Sequence, residues 1–371
     1  MLAPAQNLQL LQRTKEFAQI AGDAASRADA TGSIDQAVWS ALCDTGISMA
    51  PFSPDFGGIG LSDPNQQTTL CAILRLIGGA DLAVARLFEG HVNAVMLVSR
   101  YGTRPQIESL ARSVKQGGLS GVWGAEDAHG LRRLGNSASW LLEGKKILAS
   151  GAGVIARPLV TVGSPDGHIL YLLNLEAGKR ADMSSWTPLG MKASASGTID
   201  LTGVIVGPSE QIGDAGNYMR QPFFSGGAWR FCAAQLGAME QLTELYCAQL
   251  RARSRESDPY QLERVAHCAA ACRTTLFWVE EAARQFADEN LKPAAIVAFT
   301  NFTRMVTERA ALDVMECVQR GTGLSGLMRP NPIERICRDL ATYLRQPVPD
   351  MAMSDAARAV LAGELATGAL L

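Results

Sequence analysis

At 371 residues the chain is too long for one small core, so two or three domains are expected. Its 47% hydrophobic and 19% charged content is ordinary for a globular protein. The net charge of −2 argues against broad nucleic-acid or anionic-membrane binding, which needs a basic surface. Eight cysteines, at 43, 71, 232, 247, 268, 272, 317 and 337, lie scattered in apolar helical text and read as small buried hydrophobes. The N-terminal stretch lacks a charged region followed by an apolar block, so no signal peptide is expected. No run reaches the length of a membrane span. A cytoplasmic protein is expected.

Residues 1–118 read as a helical domain. "SIDQAVWSALCDTGI" offers Ser33 as a cap, with apolar Val38, Leu42 and Ile47. After the Gly/Pro-rich "APFSPDFGGIGLSDPN" comes a long apolar segment whose Ala and Leu content predicts helix, with a break near Gly78–Gly79. From 119 to 212 the text turns to short apolar runs punctuated by Gly. "SWLLEGKKILAS" predicts two strands around Glu143–Gly144, "PDG" a turn between two more, and "GTIDLTGVIVG" another strand. This is a small β domain.

Helix returns over 213–371. "RFCAAQLGAMEQLTELYCAQLRAR", "QLERVAHCAAACRTTLFWVEEAARQFADEN" and "KPAAIVAFTNFTRMVTERAALDVMECVQRG" predict three long helices. The last two would each span about 45 Å at 1.5 Å per residue, and together the three make a bundle. The stretch "ERICRDLATYLRQPVPDM" starts as a helix, with Ile336, Leu340 and Leu344 on one face, then meets Pro347 and Pro349, which predict its end. His267, Cys268 and Cys272 have metal-like spacing, but no second ligand pair accompanies them, so packing is expected and no metal. His129, in a loop, reads as a surface residue first.

The α–β–α order, with "PDFGGIGLS" (54–62), "LEGKKILASGAG" (142–153), "PLGMKASASGTIDLTGVIV" (188–206) and "GTGLSGLMRPNPIERICRDLA" (321–341) in sequence, resembles the acyl-CoA dehydrogenase superfamily of flavoproteins. The resemblance covers nearly the whole chain. It implies a mainly α fold: an N-terminal helical domain, a middle β-barrel-like domain and a C-terminal four-helix bundle. It also implies bound FAD and a homodimer or homotetramer. The partners it implies are an acyl thioester or aromatic substrate, and an electron-transfer partner or flavin reductase. By the same resemblance Trp123, Gly124 and Ala125 border the flavin ring, as do Ala149 and Ser150. Arg253 meets the pyrophosphate, and Gly321, Thr322 and Gly323 form the turn near the adenosine. Standing alone, "RARSRES" reads as a solvated helix end, "GTG" as a helix stop and Trp123 as core.

Departures from the family pattern are marked. Counting from Arg253, Glu256 replaces a Phe and Arg264 a Gln; Cys317 replaces another Gln, and Ile147 and Ala149 a Trp and a Thr. The resemblance places the proton-accepting Glu at Pro347, or in a second arrangement at Gly227 beside Ala228. None of these can accept a proton. Asp350 is the nearest carboxylate by sequence, and Arg230 could hold an anion. The expected reaction is α,β-dehydrogenation of an acyl thioester with a relocated base, Asp350. The alternatives are a flavin monooxygenase, which does without the carboxylate, and a catalytically degenerate binding subunit.

Overall fold

The computed structural model describes residues 4–136, 139–345 and 347–365. Five α-helices come first: α1 (Pro4–Thr31), α2 (Gln36–Asp44), α3 (Gln67–Ala80), α4 (Leu82–Tyr101) and α5 (Arg104–Lys115). Short strands follow: β1 (Leu119–Trp123), β2 (Arg132–Asn136), β3 (Ser139–Glu143), β4 (Lys145–Ala149), β5 (Ile155–Val162), β6 (Ile169–Leu172), β7 (Ala181–Asp182), β8 (Gly197–Asp200), β9 (Ile205–Val206) and β10 (Gln211–Ile212). Then come α6 (Trp229–Ala252), α7 (Pro259–Ala287), α8 (Pro293–Thr322), α9 (Pro332–Tyr343) and α10 (Pro349–Leu361).

Most helix starts are legible chemically. Proline occupies the first turn of α7, α8, α9 and α10, where its missing N–H costs nothing. Asp258 caps α7 by accepting from the backbone N–H of Tyr260 at 2.9 Å. Ser33 is not the cap of α2: Asp35 stands in that place, its carboxylate taken by Arg27 Nε at 2.7 Å. The break in the apolar segment falls at Asp81 and not at Gly78–Gly79. Asp81 is extended, with φ −155°, and its Oδ1 accepts from the N–H of Ala83 (2.7 Å) and Val84 (3.1 Å) to start α4.

The two glycines serve a packing role instead. A Cβ on Gly78 would overlap the carbonyl oxygen of Ala234 in α6, and one on Gly237 would overlap that of Arg75 in α3. The α3 and α6 backbones therefore touch, which only glycine allows. This contact joins the N-terminal helices to the bundle, and one hydrophobic core runs through both and into the β strands.

The strands form three sheets, ordered β1-β5-β6-β10, β2-β3-β9 and β4-β8-β7. The pair β1/β5 is parallel; the other pairs are antiparallel. β3 and β4, adjacent in sequence, do not pair: Gly144, at φ 123°, sends them into different sheets. "GTIDLTGVIVG" likewise splits into β8 and β9. At 20 residues with a mean hydropathy of 1.2, α4 does reach the length of a membrane span, against expectation, but 72% of that window is buried inside the protein. Nor does Pro349 end a helix; it begins α10, which packs on α8.

Candidate functional site

Trp123 ends β1 with Gly124 and Ala125 just after it, and Ala149 ends β4 with Ser150 just after it. The structure brings the two segments together. Trp123, 2% exposed, donates its indole N–H to the Ser150 carbonyl at 3.0 Å. The Ile147 N–H donates to the Ala125 carbonyl at 3.1 Å. Ser150 Oγ lies 2.9 Å from Ser196 Oγ, which lies 2.9 Å from Ser194 Oγ. Lys146 clamps this edge from behind. Its side chain is fully buried, paired with Glu126, and its ammonium donates to Thr161 Oγ1 at 2.8 Å and to the Gly124 carbonyl at 3.3 Å. Burial lowers the Lys146 pKa, while Glu126 works the other way.

A buried polar cluster lies beyond Gly124. A Cβ at Gly124 would sit 3.0 Å from Tyr218 Oη, and the Tyr218 phenol, pushed up to about 12 by burial, feels the charges of Arg86 and Glu89. Glu89 is 5% exposed; it accepts from Arg86 Nη1 at 2.5 Å and from Asn93 Nδ2. Burial works against the Arg86 charge, but Glu89 holds its pKa above the ordinary value. Tyr343, from α9, faces the same charges, with its hydroxyl buried and without a partner among the described residues.

Arg230, in the first turn of α6, completes the cluster. It is 4% exposed, and its Nε and Nη1 have no partner among the described residues. Its guanidinium lies 5.1 Å from the Phe286 ring and 5.7 Å from the Trp229 ring. Burial lowers its pKa to about 10, and Glu89 offsets part of that. Gly227 lies directly against it: a Cβ there would overlap Arg230 Nη2. The position that could have carried a base is instead occupied by the space a cation needs.

The remaining expected residues sit elsewhere. Arg253 is exposed after α6 and donates to Ser325 Oγ at 3.1 Å. Arg264, on α7, donates to the Tyr260 carbonyl at 3.0 Å. Gly321 and Thr322 are the last residues of α8, and Gly323, at φ 63°, opens a 3-10 turn to Leu327. A Cβ at Gly321 would overlap Tyr246 Oη, so that glycine is accounted for by packing. An open cleft of about 440 Å³, lined by Met315, Gln319, Leu327, Glu334 and Arg338, runs between α8 and α9.

Asp350 is exposed in the first turn of α10, and no hydrogen bond of its carboxylate reaches the cluster among the described residues. Pro347 gives its carbonyl to Arg304, and Ala228 ends a 3-10 turn before α6. His129 is exposed, as is His267, which pairs loosely with Glu263 at 3.9 Å. Cys268 and Cys272 are buried in the bundle.

Residues 4–117 match the family model described as acyl-CoA dehydrogenase, N-terminal domain, and residues 214–344 match acyl-CoA dehydrogenase, C-terminal domain. The chain belongs to the acyl-CoA dehydrogenase superfamily. Superfamily members are flavin oxidoreductases and monooxygenases, and solved structures of both kinds share this fold. Dibenzothiophene monooxygenase (TdsC) from Paenibacillus sp. A11-2 superposes with a TM-score of 0.83 at 20% identity, covering 97% of this chain and 99% of that one. Butyryl-CoA dehydrogenase from Megasphaera elsdenii gives 0.84 at 17%, with 97% and 99% coverage. Methanesulfinate monooxygenase MsuC from Pseudomonas fluorescens gives 0.81 at 18%, with 100% and 99% coverage. At such identities the likeness is one of fold. No curated protein matches in sequence.

The residues present suit a flavin, the cofactor of the superfamily. The edge at Gly124, Ala125, Ala149 and Ser150 carries small side chains, the kind that let a ligand come close to backbone. Buried donors without partners at Arg230, Trp229 and Tyr343 suit an electron-rich guest nearby. The sequence reading missed Arg86, Glu89, Asn93, Tyr343 and Lys146. Arg86, Glu89 and Asn93 had a signal: i, i+3 and i+7 put three polar residues on one face of an otherwise apolar helix. Lys146, one of two lysines in "GKK", had none.

Proposed function

We propose that this superfamily member is a flavin-dependent monooxygenase acting on a small, largely apolar substrate. The observation that carries the reading is the cation at Gly227–Arg230. Dehydrogenation of an acyl thioester needs a group that accepts the α-proton. A guanidinium has no acceptor capacity and stays charged at neutral pH. Glu89, the carboxylate of the cluster, is committed to Arg86 and Asn93. Asp350 stands exposed on another helix.

Trp123, Gly124, Ala125, Ala149 and Ser150 would hold the flavin ring, with Lys146 fixing their backbone. Arg253 and Arg264 would meet its phosphate end, and Gly321, Thr322 and Gly323 the adenosine if the flavin is FAD. When bound and reduced, the flavin supplies the electron pair that divides O₂, one oxygen atom going to the substrate and the other to water. The chain's own task is to orient substrate and exclude water. Trp229, Phe223, Phe286 and Tyr343 wall the cluster with aromatic surface, and low local polarity strengthens every charge inside it. Reduced flavin would come from a reductase or other electron donor. Leu262 and Phe277 on α7, with Leu324, Leu327 and Met328 after α8, are exposed and would be covered in a homodimer or homotetramer.

The test starts with the visible spectrum of the purified chain titrated with FMN and with FAD, which also separates the two flavins. Supplied with reduced flavin and O₂, the chain is expected to oxygenate indole or an aryl sulfide. Anaerobic bleaching of bound flavin by butyryl-CoA would instead establish dehydrogenation, with Asp350 the first residue to replace. A chain that takes up neither flavin is a binding subunit.

A further inference from the structure

Arg230 is a buried charge with nothing of opposite sign in contact among the described residues. Two guanidinium groups, Arg86 and Arg230, face one carboxylate, Glu89, and that carboxylate is spent on Arg86. The cluster is left with one net positive charge away from water. An unpaired buried ion is among the costliest arrangements a fold can hold, and it is normally neutralised by a partner. Here the partner is not protein among the described residues: Arg230 Nε and Nη1 are both buried and unsatisfied. The indole N–H of neighbouring Trp229 and the Tyr343 hydroxyl are buried and unsatisfied as well. What surrounds the guanidinium is aromatic, Phe286 at 5.1 Å with Phe223 edge-on to Phe286 at 6.3 Å.

We infer that the substrate is an apolar acid, an aromatic or aliphatic body carrying one carboxylate, sulfinate or comparable oxyanion, and that Arg230 is the residue that selects for the acid group. This rests on the reading of the cluster as the substrate chamber of a monooxygenase. The chemistry follows from the donor set. Arginine N–H groups and an indole N–H can only donate, so the guest must accept. A neutral guest would leave the charge uncompensated, whereas an oxyanion satisfies charge and donors together. The aromatic wall takes the rest of the molecule. Gly227 belongs to the device, because any side chain there would displace the guanidinium.

Paired probes test the assignment by calorimetry on the flavin-loaded chain: acetate and acetamide, benzoate and benzamide, indole-3-carboxylate and indole-3-carboxamide, benzenesulfinate and methyl phenyl sulfone. At least one acid is expected to bind about tenfold or more tighter than its neutral counterpart, the scale of a desolvated charge pair. Arg230→Met should erase that preference by weakening the acid; Arg230→Lys should retain part of it. Without ligand, Arg230→Met should melt no lower than the native chain, since it removes an uncompensated charge. A native chain in which no acid outbinds its counterpart overturns the inference whether or not the variant folds. So does an Arg230→Met protein that keeps the preference, or one that loses flavin affinity while acids still bind selectively. Repeating the titrations without flavin separates the two readings. Acid preference in a chain that takes up no flavin overturns the monooxygenase alone; flavin uptake with no acid preference overturns this inference alone.

Discussion

Asp339 accepts a hydrogen bond from the backbone N–H of Met191 at 2.6 Å, so a carboxylate of α9 holds a loop of the β domain. The neighbouring N–H, that of Gly190, donates to Thr342 Oγ1 at 2.9 Å, and Arg338 Nη1 donates to the Leu189 carbonyl at 3.1 Å. One turn and a half of α9 thus fixes the β domain against the bundle. Asp339 is 4% exposed, and burial together with the charge of Asp81 raises its pKa to about 7, against the pull of the Met191 N–H and Arg335.

A pH dependence follows. The folded pKa lies above the ordinary value of 3.8, so the folded chain holds this proton more tightly than the unfolded one. The stabilisation is fully present below pH 3.8 and is lost as pH rises towards about 7. Asp339→Asn keeps an oxygen for the Met191 N–H and removes the ionisation. Urea denaturation at a series of pH values should show the native chain losing stability over that window relative to Asp339→Asn. Parallel curves would show that Asp339 titrates normally.

The adjacent Arg338 makes a different prediction. Its guanidinium joins Asp29 of α1 at 2.7 and 3.0 Å and Glu334 at 2.6 and 3.0 Å, with side chains only 15%, 11% and 12% exposed. The hydrogen bonds it donates to Asp29 and Glu334 raise its pKa further. Arg338→Met leaves the largely buried Asp29 without its cation and Glu334 with Arg329 alone, and breaking a buried pair costs about 3–5 kcal/mol. A loss of that order is expected in denaturant melts. A change under about 1 kcal/mol would put the pair in the class of surface ion pairs.

The α3–α6 contact is equally specific. Gly237→Ala places a methyl group on the carbonyl of Arg75, where backbone must shift, while the same change at Gly153 meets nothing within 4 Å. Overpacking of this kind costs about 1–3 kcal/mol or more. Thermal melts should therefore separate the two variants clearly, Gly237→Ala falling and Gly153→Ala staying near the native value.

Much of this fold was legible in the chain, because long helices carry their own punctuation. Pro259, Pro293 and Pro332 mark helix starts wherever they fall, and apolar spacing carries the interiors. The errors came where one residue type serves two purposes. Gly78 and Gly79 look like a helix break, and only the approach of α6 shows why they are glycine. Pro349 looks like a stop and is a start. The meeting of the segments at Trp123 and Ser150 agrees with the family pattern. Arg230 was read as an anion holder, but its joining with Arg86 and Glu89 was not legible, because Glu89 and Arg230 lie far apart in sequence. Burial gives them their meaning, and burial is a property of the assembled fold.

Lys146 lies behind the edge proposed to hold the flavin ring. Its ammonium holds both the Gly124 carbonyl and Glu126, adding to the bonds from Thr161 and Ile147 that fix the segment 123–126. Lys146→Met leaves Glu126 without its cation and Gly124 with Thr161 Oγ1, at 3.3 Å, as its remaining donor among the described residues, a loss of about 2 kcal/mol or more for a buried hydrogen-bonded charge. Flavin affinity is expected to fall about tenfold or more, since 1.4 kcal/mol is a factor of ten. Adding Glu126→Gln removes the stranded charge and should restore part of the stability but little of the affinity, because the ammonium that joins the Gly124 carbonyl to Thr161 Oγ1 is still missing. Fluorescence titration with FMN and FAD reads affinity and urea melts read stability. Equal recovery of both would assign Lys146 to folding alone.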